Sequence, residues 1–198
     1  MEGIYRVIIQ RRIRRFKKRS IALNLLKKMV NCARLAPLAR NLQTIEYIIV
    51  NNKELCSQFF SYLKGAAYIS PQGDLPLDKR PVAYIAILVD MKKADQKYFA
   101  YDVGAAVENI LLFAWSKDIG SCWMHSIERE NIAFLLKVPS HIRVDSIISL
   151  GYKDEKPQIE KFIDSPKYWK DNFRVLHVSK RSLEEIIHYN YYRNISRR

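Results

Sequence analysis

A chain of 198 residues with 48% hydrophobic content buries one sizeable core, and no stretch reads as a Pro/Gly/Ser-rich linker, so a single domain is expected over residues 1–198. A formal charge of +14 favours polyanionic partners through counterion release, with phosphate in some form the first suspect. No run approaches the roughly 20 apolar residues of a membrane span, no apolar signal opens the chain, and Cys32, Cys56 and Cys122 form no CxxC or CxxH pair, which together point to a reduced, cytoplasmic protein without a structural metal.

In chain order, Ile4 to Gln10 make two apolar turns with Ile4, Val7 and Ile8 on one face, and Arg11 to Arg19 follow, seven of nine residues basic. Ile13 and Phe16 interrupt that run. Each is an anchor to a core, so the run reads as a docked arginine cluster suited to one bound phosphate rather than a solvated arm. Ser20 reads as the cap of a helix from Ile21 to about Leu35, ended by Ala36-Pro37. Asn41 and Gln43 then place amide donors and acceptors at the entrance of a β-branched strand, Thr44 to Val50. Lys53 to Leu63 is a third helix, Gly65 to Arg80 an irregular loop, and Pro81 to Val89 a nearly uniform apolar run suited to a central strand.

Between Tyr101 and Ile127 lies the longest apolar pattern. Val103, Ala106, Val107, Ile110, Leu111, Ala114 and Trp115 recur at offsets of three and four, which predicts a helix buried nearly all round. Gly120 reads as its stop, and Ser121 to Ile127 as a strand end or loop lining a pocket for a flat aromatic ligand. Glu128 to Leu136 is a short helix, Asp145 to Gly151 another buried strand. The tail from Tyr152 is sparsely apolar; Ser182 with Glu184 and Glu185 reads as the start of a last helix, and such a tail gains its order by lying on another surface. Helices and strands mix without strict alternation, and no GxGxxG, P-loop, GxSxG or HExxH occurs, so an α+β sheet core without a nucleotide-fold or hydrolase motif is expected. Cys122 with His125 or His141 is conceivable as a thiol–base pair, although a small buried hydrophobe is the commoner fate of such a cysteine.

Taken together, five segments in order resemble the nitroreductase family of FMN-dependent oxidoreductases. They are Gln10-Arg11-Arg12-Ile13-Arg14-Arg15-Phe16 for an R-R-S-x-R-x-F stretch, and Ala36-Pro37-Leu38-Ala39-Arg40-Asn41-Leu42-Gln43 for A-P-S-x-x-N-x-Q. Next come Asp102, Gly104, Ala106 and Asn109 leading to Gly120-Ser121-Cys122-Trp123-Met124, then Leu150-Gly151-Tyr152, then Ser179-Lys180-Arg181-Ser182-Leu183-Glu184-Glu185. The departures are Arg12 and Leu38 for family serines, Thr44-Ile45 for Pro-Trp, and His125 for a glycine beside the flavin.

The resemblance implies a mainly antiparallel mixed sheet flanked by helices, in an interlocked homodimer with two FMN sites at the interface and the tail, from about 152 to 198, packed on the partner. It implies that Arg11, Arg12 and Arg14 with Lys180 or Arg181 hold the FMN phosphate, guanidinium forks being suited to phosphate oxygens. Asn41 and Gln43 would face the ribityl chain or ring, and Cys122, Trp123, Met124, His125 and Ser126 would line the isoalloxazine, with backbone N–H groups near its reactive nitrogen. The implied reaction is ping-pong, from NADH or NADPH through FMN to a small acceptor such as a nitroaromatic or quinone, with no protein acid or base. Two rivals stand beside it: a family member using flavin in another redox role, and a basic nucleic-acid-binding protein supported by charge and by the tyrosines among basic residues after Tyr189.

Overall fold

The computed structural model describes residues 3–10, 13–64, 75–162, 165–173, 175–183, 185–188 and 190–192. Its centre is β3 (Ala83–Asp90), in which all eight residues are buried. The run is apolar as far as Val89 because it is covered on both faces and paired on both edges. It runs antiparallel to β2 (Ile45–Val50) on one side and to β5 (Ile142–Lys153) on the other. β4 (Ile119–Met124) adds antiparallel to the far edge of β5, and the two-residue β1 (Phe16–Lys17) pairs with the end of β5.

Side chains alternate across the sheet as a pleat requires. Ala83, Ile85, Ile87 and Val89 face α2 (Leu23–Arg34) and α4 (Phe99–Ser116), packing on Leu26, Met29, Ala106, Val107 and Ile110. Tyr84, Ala86 and Leu88 face α3 (Lys53–Ser61) and α5 (Arg129–Leu135) through Phe59 and Ile132. Helices thus cover both faces of a mainly antiparallel sheet, the α+β class expected. From Asp102 to Trp115 no residue of α4 is exposed, which agrees with its all-round apolar pattern. None of the helices among the described residues is long and apolar enough to cross a membrane.

Three local readings are corrected. α2 begins at Leu23, and its N-cap residue is Ala22, with no side-chain cap; Ser20 lies outside the helix, while Ile21 is buried against the core. α4 ends through Lys117 and Asp118, and Asp118 takes the left-handed conformation at φ 59°. Gly120 is a strand residue with ordinary φ, needed for another reason given below. The last helix from Ser182 is absent among the described residues: Ser182 N–H donates to Glu185, Ile186 and Ile187 N–H groups donate to Leu183 O, and the segment turns. Glu184 lies outside the described residues, as do residues 65–74 of the predicted loop.

The tail forms a second sheet. β6 (Gln158–Lys161) pairs parallel with β8 (Leu176–Lys180), and β7 (Trp169–Lys170) pairs antiparallel with it. His177 joins all three strands. Its Nδ1 meets Glu160, its Nε2 lies 3.2 Å from Asp171, and its ring stacks on Trp169 at 4.2 Å and 9°. α1 (Gly3–Gln10) exposes Ile4, Tyr5 and Ile8, an apolar face that none of the described residues covers.

Candidate functional site

The arginine run is docked as its interruptions predict: Ile13 and Phe16 are fully buried. What admits them is a pair of glycines. Gly120 of β4 and Gly151 of β5 are cross-strand partners, and a Cβ at Gly120 would lie 2.6 Å from Ile13 Cβ, one at Gly151 2.6 Å from Phe16 Cβ. The bare strip lets the segment lie on the sheet. Backbone bonds fix it, Ile13 N–H to Ser121 O at 3.0 Å and Asp154 N–H to Arg15 O at 3.1 Å. The Glu155 carboxylate accepts both the Arg14 and the Arg15 N–H groups.

Arg14 is thereby held with its guanidinium 4.1 Å over the Tyr168 ring, and its Nη1 is buried without a partner among the described residues. Ser121 Oγ on the adjacent strand is likewise buried and unpartnered. Buried polar atoms of this kind are costly unless a ligand or water completes them. Arg11 and Arg12 lie outside the described residues.

β4 is an edge strand that carries the predicted ring-binding residues at its open end. Trp123 donates its indole N–H to Ser146 Oγ at 2.8 Å, and Met124 Sδ accepts from Ser149 Oγ at 3.1 Å. Cys122 is half-buried as a free thiol, with no histidine contact recorded, so the thiol–base pair finds no support. The exposed His125 ring packs on Trp123 with centroids 4.6 Å apart. Ser126 then gives its carbonyl to Lys64 N–H at 2.9 Å.

Asn41 and Gln43 sit elsewhere. Their loop is pinned to α4 by Ala39 N–H donating to Asp102 at 2.8 Å and to the segment before α4 by the Arg40–Asp95 ion pair. Arg40, Asn41 and Gln43 are all left-handed at φ 51°, a conformation non-glycine residues hold only when their surroundings impose it. The loop leads into β2, and β3 and β5 separate β2 from β4, so at strand spacing roughly 14 Å of sheet lies between these amides and the β4 end. One chain does not bring them together.

Lys180 ends β8 with an exposed side chain, its carbonyl accepting from Phe162 N–H at 2.7 Å, and Arg181 Nη2 donates to Glu185 O at 2.6 Å. A cleft of about 610 Å³ lined by Lys17, Trp115, Asp118, Lys153, Glu155 and Pro157 opens at the start of β4, away from His125. There Lys153 lies on Trp115 and pairs with Asp118 at 2.6 Å, so its charges are matched within the chain. Two residues that shape the site escaped sequence reasoning, and a third, Asp102, entered it only as part of a motif. Glu155 and Arg129 are charges in polar segments with nothing to mark them, whereas Asp102, a lone carboxylate inside an apolar helix, was visible as an anomaly.

Helices on both faces of a mainly antiparallel sheet, with a basic segment docked on its edge strand, define an α+β fold shared with known oxidoreductases. The FMN-dependent nitroreductase of Clostridium difficile superposes with a TM-score of 0.68 at 27% identity over 97% of this chain and 100% of that one. The NADPH:FMN oxidoreductase of Vibrio harveyi, at 17% identity over 98% of this chain and 80% of that one, shares the fold alone at 0.70. In sequence, a protein of Archaeoglobus fulgidus provisionally named NADH dehydrogenase/NAD(P)H nitroreductase is 34% identical over 167 residues, 79% of this chain and 89% of that one. The model of the nitroreductase family matches residues 8–152, and the chain belongs to that family. It is therefore an oxidoreductase.

Proposed function

We propose that the protein is an FMN-dependent NAD(P)H oxidoreductase that works as a homodimer and reduces a small acceptor such as a nitroaromatic or quinone. The observation that carries the reading is the docked arginine segment with its unpartnered polar atoms. Arg14 Nη1 and Ser121 Oγ are a buried donor and a buried hydroxyl without a partner among the described residues, and they fit a ligand rich in phosphate and carbonyl oxygens.

In this reading Arg11, Arg12 and Arg14, with Lys180 or Arg181, hold the phosphate. Cys122, Trp123, Met124, His125 and Ser126 line the ring. Asn41 and Gln43 belong to the site of the other subunit, because the sheet separates them from β4 of their own chain. The exposed Ile4, Tyr5 and Ile8 of α1 and the tail beyond Tyr152, where the family match ends, form the subunit interface. The chain is one domain with an extension that embraces its partner, and it acts in the cytoplasm.

FMN held by these residues would supply the hydride and electron transfer between nicotinamide and acceptor. The residues of this chain bind, orient and exclude water. Backbone N–H groups after β4 oppose negative charge on the ring, and nicotinamide and acceptor take turns on one face. No side-chain acid or base is required.

The test is the absorption spectrum of the purified protein, followed by aerobic mixing with NADH and with NADPH. A yellow protein bleached by one of them and recoloured by a quinone supports the reading. Bound flavin that neither nucleotide reduces points to another redox role, and a colourless protein carrying nucleic acid in a salt-sensitive complex points to the charge of +14 instead.

A further inference from the structure

Arg129 is the first residue of α5, four residues beyond His125. Its Nη2 donates to two backbone carbonyls, His125 O and Asp145 O, each at 3.1 Å. Both carbonyls lie outside the regular ladder. In β5, Ile87 pairs with Ser146 and Leu88 with Val144, so Asp145 is the extra residue of a β-bulge and faces no residue of β3. His125 follows the last pair of the β4–β5 ladder, Met124 with Ile147. One guanidinium nitrogen thus ties the bulge in β5 to the chain leaving β4.

This tie has a directional consequence. A planar peptide holds its C=O and N–H antiparallel, so a His125 carbonyl fixed toward Arg129 turns the Ser126 N–H away from it. That N–H makes no hydrogen bond among the described residues, while the Ser126 carbonyl is held by Lys64. The imidazole of His125 is occupied on Trp123 and takes no part in fixing the peptide.

We infer that Arg129 is a positioning residue: by holding the His125 carbonyl against the β5 bulge it aims the Ser126 N–H at the bound flavin and so raises the cofactor's reduction potential. The inference rests on the flavin reading above. It is specific to arginine, whose planar guanidinium fixes the two Nη2 hydrogens in one geometry, where the compact ammonium of lysine is a rotatable point charge. A backbone donor fixed beside developing negative charge stabilises it without reorganisation.

The test compares wild type, Arg129→Lys and Arg129→Ala in three measurements: FMN affinity by fluorescence quenching, the midpoint potential of the bound flavin, and, in the flavin-free protein, hydrogen exchange of the Lys64 amide, which is bonded to the Ser126 carbonyl at 2.9 Å. Arg129→Ala should bind FMN yet shift its oxidised–reduced equilibrium about tenfold toward the oxidised form, about 30 mV for a two-electron couple. The Lys64 amide should exchange at least several-fold faster as the Ser126 carbonyl that holds it loosens, and Arg129→Lys should fall between. Wild-type potential and wild-type exchange in both variants would overturn the inference. Should wild type take up no FMN, the flavin reading fails by itself, and the exchange comparison still supports or overturns the hold of Arg129 on this peptide. Should Arg129→Ala not fold, the potential and exchange of Arg129→Lys decide alone.

Discussion

Gly120→Ala tests the docking of the arginine segment. The new methyl would lie 2.6 Å from Ile13 Cβ, 2.7 Å from its Cγ2 and 2.8 Å from its Cγ1. Carbon atoms pack at about 3.5–4.0 Å, so the segment must withdraw by roughly 1 Å. The obstructing atom is a β-carbon, fixed to the backbone, and no rotamer change relieves it. Overpacking of this kind costs roughly 1–3 kcal/mol, offset by roughly 0.5–1 kcal/mol from replacing glycine within a strand, for a net loss of up to roughly 2.5 kcal/mol. Urea unfolding at constant slope measures it. Ile13→Ala should not rescue, because the 2.6 Å contact is with the β-carbon that alanine retains; Ile13→Gly should show favourable coupling with Gly120→Ala in a double-mutant cycle. Since Arg14 rides on the same segment, FMN affinity should fall in parallel. A Gly120→Ala protein as stable as wild type or more so, with no change in slope, would refute the reasoning.

Arg14→Ala should weaken FMN by roughly ten- to hundredfold, the equivalent of roughly 1.5–3 kcal/mol for charge-assisted bonds, while leaving riboflavin binding unchanged if the lost partner is the phosphate; single alanine variants of Arg11 and Arg12 belong in the same titration. His125→Gly should retain FMN and alter the relative rates with quinone and nitroaromatic acceptors, whereas loss of all turnover with flavin bound would show that the imidazole does chemistry. Burial alone would lower the pKa of His177, but bonds to Asp171 and Glu160 outweigh it and raise the value above the ordinary 6.5. The raised value means that this contribution to the tail sheet is complete below pH 6.5 and fades as pH rises through the folded value, so β8 amides should exchange faster on the alkaline side, and His177→Gln should abolish that pH dependence.

Much of the core was legible because burial on all sides leaves a pattern. β3 has no polar residue before Asp90, and α4 repeats apolar residues around its circumference, so neither admitted a second reading. The docked arginines were legible for a related reason, since Ile13 and Phe16 have no place in a solvated arm. Gly120 was misread because a glycine after a helix satisfies two demands, a left-handed turn or an absent side chain, and sequence does not separate them. Asp118 met the first demand, leaving Gly120 to the second. The tail was misread as a helix because Ser-Leu-Glu-Glu has local helical chemistry, while its order comes from partners far apart in sequence, Glu160, Trp169 and Asp171 around His177. The distance between Asn41 and Ser126 was beyond any motif, since it depends on the strand order.

The coverage of β3 on every side also sets a schedule for biosynthesis. Ala83 pairs with Leu150 and Asp90 with Ile142, so the strand must wait for roughly 50–70 further residues before its second edge is closed. At roughly 5–20 residues per second, this apolar run spends about 3–13 seconds in a nascent chain that offers it β2, α2 and α3 but leaves its second edge and the places of α4 and α5 open. Its flanks are suited to that interval: Lys79, Arg80 and Pro81 precede it, and Asp90, Lys92 and Lys93 follow, the charged and proline gatekeepers that discourage one nascent strand from adding to another. Slowing translation after Asp90 should therefore lower the yield of folded protein, and neutralising those flanking charges should lower it further without altering the stability of the chains that finish folding.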